Sequence, residues 1–207
     1  TAIGYGSLEN NTTGTSNVAI GRDALEATTG NANVGVGYQA GKANTSGQII
    51  AIGYQAMLAN TTGTRNIAIG SNAYDSSDTE NDNIAIGHNA MTTNTAGGVE
   101  NLAVGNYALD ALTSGDGNVA LGHMTLTATD TGRHNVGVGY RALYTNTGGD
   151  NNVAVGKESL FYNTTGEDNI ALGNQSLTAN TTGAANVAVG ANALTANTTG
   201  ENNLAIG

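Results

Sequence analysis

The sequence predicts an all-β fold: a parallel β-roll, or β-solenoid, of about twelve coils of 17 residues, intertwined or packed as a homotrimeric fibre, with a single-chain solenoid as the alternative. Three observations point there. The first is a phrase, Asn-Val-Ala-Ile-Gly or a close variant, whose glycine falls at 4, 21, 37, 53, 70, 87, 105, 122, 139, 156, 173, 190 and 207. Self-similarity at so short and steady a period marks a solenoid, in which each repeat is one coil stacked on the last. The second is alternation of large and small apolar residues inside the phrase, the period of a strand. The third is the Gly-, Asn- and Thr-rich stretch between phrases, which reads as turns. Residues 1–207 form a single repeat module, expected to be an excerpt of a longer fibrous array.

The elements follow the consensus Asn-Val-Ala-Ile-Gly-x-x-Ala-Leu-x-x-Asn-Thr-Thr-Gly-x-x. In the first run the outer positions are large: Val18 and Ile20, Ile67 and Ile69, Leu102 and Val104, Val153 and Val155. Side chains two apart share a face of a strand, so these pairs predict a continuous aliphatic stripe. The middle position is Ala, as at Ala19, Ala68, Ala120 and Ala188, or Gly at Gly35 and Gly137. That restriction predicts close approach by another backbone and burial on both faces. A second strand-like run carries Leu four residues after the glycine, from Leu8 to Leu194, replaced by Gly41, Met57, Tyr74 and Met91. The phrase glycine is expected at a positive φ or where a side chain would clash. Stacked asparagines opening the phrase predict an amide ladder, with Ile49 as the odd member. One coil buries too few aliphatic side chains to offset the entropy of ordering it. Packing of three chains on the small-residue face would supply further burial.

The phrase at Asn17 to Ala24, and again at Asn186 to Ala193, resembles the head repeat of trimeric autotransporter adhesins. The inserted Asn-Thr-Thr-Gly, as at Asn60 to Gly63 and Asn180 to Gly183, is similar to the related repeats of bacteriophage tail fibres. The resemblance covers the whole chain. It implies a left-handed roll, a trimer and an extracellular location on a virion tail or cell-surface filament. It carries no shared catalytic residues, and the 17-residue period departs from the shorter adhesin unit.

Composition narrows the function classes. With 16 acidic against 6 basic residues, the net charge is −10. No basic patch suits a phosphate backbone or an anionic membrane surface. No apolar run approaches the ~20 residues of a membrane-spanning helix. The absence of cysteine leaves no disulfide framework to build on.

No residue is assigned a catalytic, cofactor or metal role. His88 and His123 occupy one column two coils apart, roughly 10 Å at ~4.8 Å per coil. That is too far to share a metal, and they read, like His134, as exposed turn histidines. The acidic stretch Asp75 to Asp82 has oxygen ligands for calcium but lacks any calcium-loop spacing, so a variant solvated turn is expected. Asp116, Asp150, Glu167 and Asp168 read as solubilising charges. Asn11, Asn44, Asn60, Asn163, Asn180 and Asn197 match the N-glycosylation sequon, which turn chemistry alone also explains. Adjacent threonines point to opposite sides, which disfavours an ice-binding grid. The expected function is a non-enzymatic shaft or adhesive segment of an extracellular fibre, first a phage tail fibre, with a bacterial surface adhesin or fibril as the second reading. A glycan-cutting tailspike is the rival from another class. The expected partners are copies of this chain and a cell-surface glycan or protein receptor, with Tyr38, Tyr54, Tyr140 and Lys157 free for surface contact.

Overall fold

The computed structural model describes residues 1–94 and 97–207. Thirteen short strands, β1 (Ala2–Ile3) to β13 (Leu204–Ile206), form one parallel sheet in strict sequence order. Each coil returns the chain to the same place one rung further on. Ala51 therefore pairs with Ala68, and Ala171 with Ala188. At ~4.8 Å per rung, twelve steps give a rod roughly 60 Å long.

The phrase residues form strands because β-branched side chains fit a pleated surface. The strand stops after three residues because the phrase glycine turns the chain out of the sheet, with φ between +128° and +141°. A Cβ is excluded there as well. One added to Gly70 would lie 2.4 Å from the Gly87 carbonyl oxygen. Both reasons expected for this glycine hold together.

Two expectations are corrected. The small middle residues point into the coil itself, not toward a neighbouring chain: Ala19, Ala68, Ala120 and Ala188 are fully buried against the chain's own leucines. Even the exceptions fit, since a Cβ on Gly35 would meet the Leu25 side chain at 2.6 Å. The strand is thus buried on one face only. The large aliphatic pair lies half-exposed on the other, with Ile20 at 38% and Ile69 at 36%.

The second run is not a strand. Its leucines adopt the left-handed conformation (φ 50° at Leu25, 52° at Leu143), as do the residues two before them, such as Asp23 and Arg141. This alternation coils the backbone tightly while still aiming every leucine inward. It keeps hydrogen bonds running to the next coil: Met57 N donates to Ala73 O at 2.9 Å, and Ala59 N to Asp75 O at 2.9 Å. Leucine in this region costs about 1–2 kcal/mol, so a coil needs its neighbours to hold the shape.

The amide ladder is present. From Asn66 to Asn203 each asparagine Oδ1 accepts the backbone N–H of the next, as Asn118 does from Asn135 at 3.0 Å and Asn135 from Asn152 at 3.0 Å. Each Nδ2 donates to the carbonyl of the following turn, for example Asn135 to Gly149 at 2.8 Å. A second ladder runs through the Asn-Thr-Thr asparagines: Asn163 donates to Asn146 at 2.8 Å and Asn180 to Asn163 at 2.9 Å.

Candidate functional site

Two surfaces stand out on the rod. The first is the aliphatic stripe. Ile3 of β1 and two large side chains from each later strand are lined up by the stacked register without a break to β13. Leu121, Val155, Ile170 and Leu172 are each 36–39% exposed. A contiguous exposed apolar strip is the kind of surface that marks an interaction site.

The second is the corner after the phrase glycine, where aromatic and cationic side chains stack from coil to coil. At the N-terminal end the Arg22 guanidinium lies 5.9 Å from both the Tyr5 and Tyr38 rings, and Tyr38 stacks on Tyr54 at 5.3 Å. Further along, Tyr107 sits edge-on between His88 and His123, at 5.4 and 6.1 Å, and His123 stacks on Tyr140 at 5.7 Å. The Arg141 guanidinium is 5.0 Å from Tyr140 and 5.4 Å from Tyr144. Tyr144 stacks on Phe161, and Phe161 meets Tyr162 edge-on at 4.7 Å. Pairs of this kind contribute about 0.5–1.5 kcal/mol each, so the stacks stiffen the corner as well as decorating it.

The histidines read as metal-distant in sequence are separated by the Tyr107 ring, and all three, His134 included, are exposed. Among the described residues, no three His, Cys, Asp or Glu side chains come together. The acidic stretch is divided among separate partners. Asp78 accepts from the Thr61 hydroxyl, and Asp82 is bound by Arg65 at 2.5 and 2.7 Å. That guanidinium, by hydrogen bond and charge, holds the Asp82 carboxyl below its usual range. Burial pushes Asp75 up. Glu80 is buried: it takes the place of the second glycine, and its carboxylate accepts from Ser77 Oγ and from the N–H groups of Asp78 and Thr79, all at 3.0 Å. It closes the turn that an asparagine closes elsewhere, because Ser77 is too short to do so.

The charges at Asp116 and Asp150 bind the chain itself, through Val99 N and Arg133 N, while Glu167 and Asp168 are exposed. Lys157 is exposed beside Glu158 at 3.9 Å. The sequon asparagines at 44, 60, 163 and 180 are fully buried. In the folded coil their amides are out of reach of a glycan-transferring enzyme. Of the threonine pairs, Thr164 and Thr181 donate to the next coil while Thr165 and Thr182 face solvent, the opposed orientation expected.

Sequence reading missed Arg141, Tyr144, Phe161 and Tyr162 as a group. The usable signal is the column: residues 17 apart in this region stack, which brings Tyr144 onto Phe161 and aligns Arg141 with Glu158 and Gln175. The fold and its surfaces define a single-sheet parallel β-solenoid with one apolar face and one aromatic corner. Comparison with protein-family models, with curated proteins and with solved structures finds no match for this chain.

Proposed function

We propose that the chain is a non-enzymatic shaft or adhesive segment of an extracellular fibre, most simply a phage tail fibre, and that three parallel copies pack their aliphatic stripes around a common axis. The observation that supports this is the uncovered stripe itself. The coil fills its own interior with Ala and Leu, so among the described residues the outward Val, Ile and Leu pairs are left half-covered. Bringing three stripes together would bury them, at a gain of roughly 25 cal/mol per Å². The resemblance of the phrase to trimeric fibre repeats fits the same arrangement. A shaft on a bacterial surface would work by the same mechanics, holding a binding end away from its base.

Sedimentation equilibrium tests the assembly. The expected mass is three times the 20.6 kDa of the chain. A folded species that stays at the single-chain mass at high concentration overturns the trimer. Incubation with host capsule tests the rival reading. No released oligosaccharide is expected, and its release would make the protein a depolymerase.

A further inference from the structure

We infer that the groove between Arg141 and Thr178 is a binding site for a neutral pyranose saccharide. This deepens the fibre reading by giving the shaft a ligand of its own, and it rests on an open groove of about 270 Å³ lined by Arg141, Glu158, Phe161, Tyr162, Gln175 and Thr178. Side chains from three successive coils build it. Arg141, Glu158 and Gln175 stand second after their glycines, all in the left-handed conformation (φ 54°, 55° and 54°), and all three line the groove. Phe161 and Thr178 stand fifth after theirs, and with Tyr162, which stands sixth, they complete the lining.

The groove departs from the repeat in the directions a sugar site needs. The sixth position after the glycine is small or short in every other coil (Ala27, Ala59, Ala128 and Ala179, for instance), yet here it is Tyr162, 54% exposed. Packing does not explain so large an uncovered ring. Its outward surface offers the apolar platform on which the C–H face of a pyranose rests, while Phe161 fixes it edge-on from behind. Beside it, Gln175 Nε2 donates to Glu158 Oε2 at 2.8 Å, which leaves the Gln175 amide oxygen and the second Glu158 oxygen to accept from vicinal hydroxyls.

Arg141 supplies the donor. Among the described residues, five of the six basic side chains lie within 4 Å of a carboxylate, and Arg141 is the exception. It stacks on Tyr140 and Tyr144 instead, and among the described residues no acceptor binds its guanidinium, so the terminal Nη groups keep their donors. A ring or hydroxyl oxygen entering the groove would provide an acceptor. A glycan fits better than an anion because Glu158 lines the same wall and the chain carries a net −10. By contrast, the groove of about 290 Å³ lined by Gly30, Asn31, Gly47, Gln48 and Thr64 offers no aromatic or charged side chain.

The repeat itself supplies substitutions that keep the fold. Tyr162→Ala installs the residue found at this position in most coils, and Gln175→Asn the one found at Asn72, Asn89 and Asn192. Saturation-transfer NMR on the intact 207-residue protein would use lactose, maltotriose and chitobiose as neutral probes and glucuronate as the acidic one. At least one neutral probe should show transfer, weakened about tenfold or more in Tyr162→Ala and Gln175→Asn. Tyr54→Ala, which alters an exposed tyrosine far along the rod, should leave it unchanged. The absence of transfer to every neutral probe, transfer to glucuronate alone, or equal losses in Tyr54→Ala would each overturn the site. These outcomes are independent of the sedimentation mass, so the groove and the trimer stand or fall separately.

Discussion

At the residue scale, the phrase glycines are the points where the coil has no slack. Gly70→Ala places a methyl against the Gly87 carbonyl and forces a side chain to φ +139°. Neither backbone can move without breaking the ladder on both sides. The strain costs about 1–3 kcal/mol and the overpacking about as much again, read as a drop in the denaturant midpoint of unfolding. Tyr74 is a different kind of special residue. It replaces Leu in the core, and its hydroxyl accepts from Asn83 Nδ2 at 2.7 Å and Asn94 Nδ2 at 3.2 Å. Burial, above all, pushes its phenol well above the usual range. A folded-state pKa raised above the unfolded one gives stability that is complete below about pH 10 and lost as pH rises through and beyond it. Between pH 9 and 12 the wild type should therefore lose more stability than Tyr74→Leu, which has no group there to ionise. Parallel slopes for the two proteins in chemical denaturation across that range would contradict the assignment.

At the element scale, departures from the consensus come in compensating sets. Gly41 leaves out the core leucine of its coil, and Ile49 leaves out the ladder asparagine. The two meet, since a Cβ on Gly41 would lie 3.2 Å from Ile49 Cδ1. Ile49, fully buried, shares the space the leucine would occupy with Leu25, whose Cδ2 would lie 2.8 Å from the same Cβ. Gly41→Leu alone should overpack, and Ile49→Asn alone should leave a void, each costing about 1–3 kcal/mol. The double variant should recover part of the loss, because Leu25 remains, giving a coupling of about 0.5–1 kcal/mol in thermal unfolding; simple additivity would refute the pairing. Such sets show what was legible in sequence. The period, the strand, the glycine corners and the Asn17 to Asn203 ladder follow from residue type and spacing alone. The left-handed leucines do not, because leucine carries no local signal for that conformation and only the stacked coils impose it. Nor does the sidedness of the strand: alternation separates Ala68 from Ile67 and Ile69 but does not say which face turns inward. The aromatic corner was hidden for a related reason. Tyr144 and Phe161 are neighbours only once the coil length is fixed.

For the whole molecule, the inversion of inside and outside relocates the expected assembly contact. Replacing Ala68, Ala120 or Ala188 by Leu would overfill the coil's own core and unfold the chain, whatever its oligomeric state. The informative substitutions lie on the stripe. Ile69→Glu with Leu121→Glu alters side chains that are only half-covered in the single chain. The proposed trimer should then give way to 20.6 kDa chains with the β-rich circular dichroism retained. A trimer that survives both charges would place the contact elsewhere. The self-filled core has a further effect on how such a molecule can change over generations. Every coil meets the next through the same register, so the surfaces exposed by removing one whole period match each other. Loss of residues 136–152 would bring Asn135 onto Val153 as the native chain brings it onto Val136, and shorten the rod by one rung. Loss of a few residues from within a coil would instead put every later column out of register. Length is therefore heritable in whole steps of ~4.8 Å, and recombination between repeats can tune the reach of the rod without disturbing its chemistry.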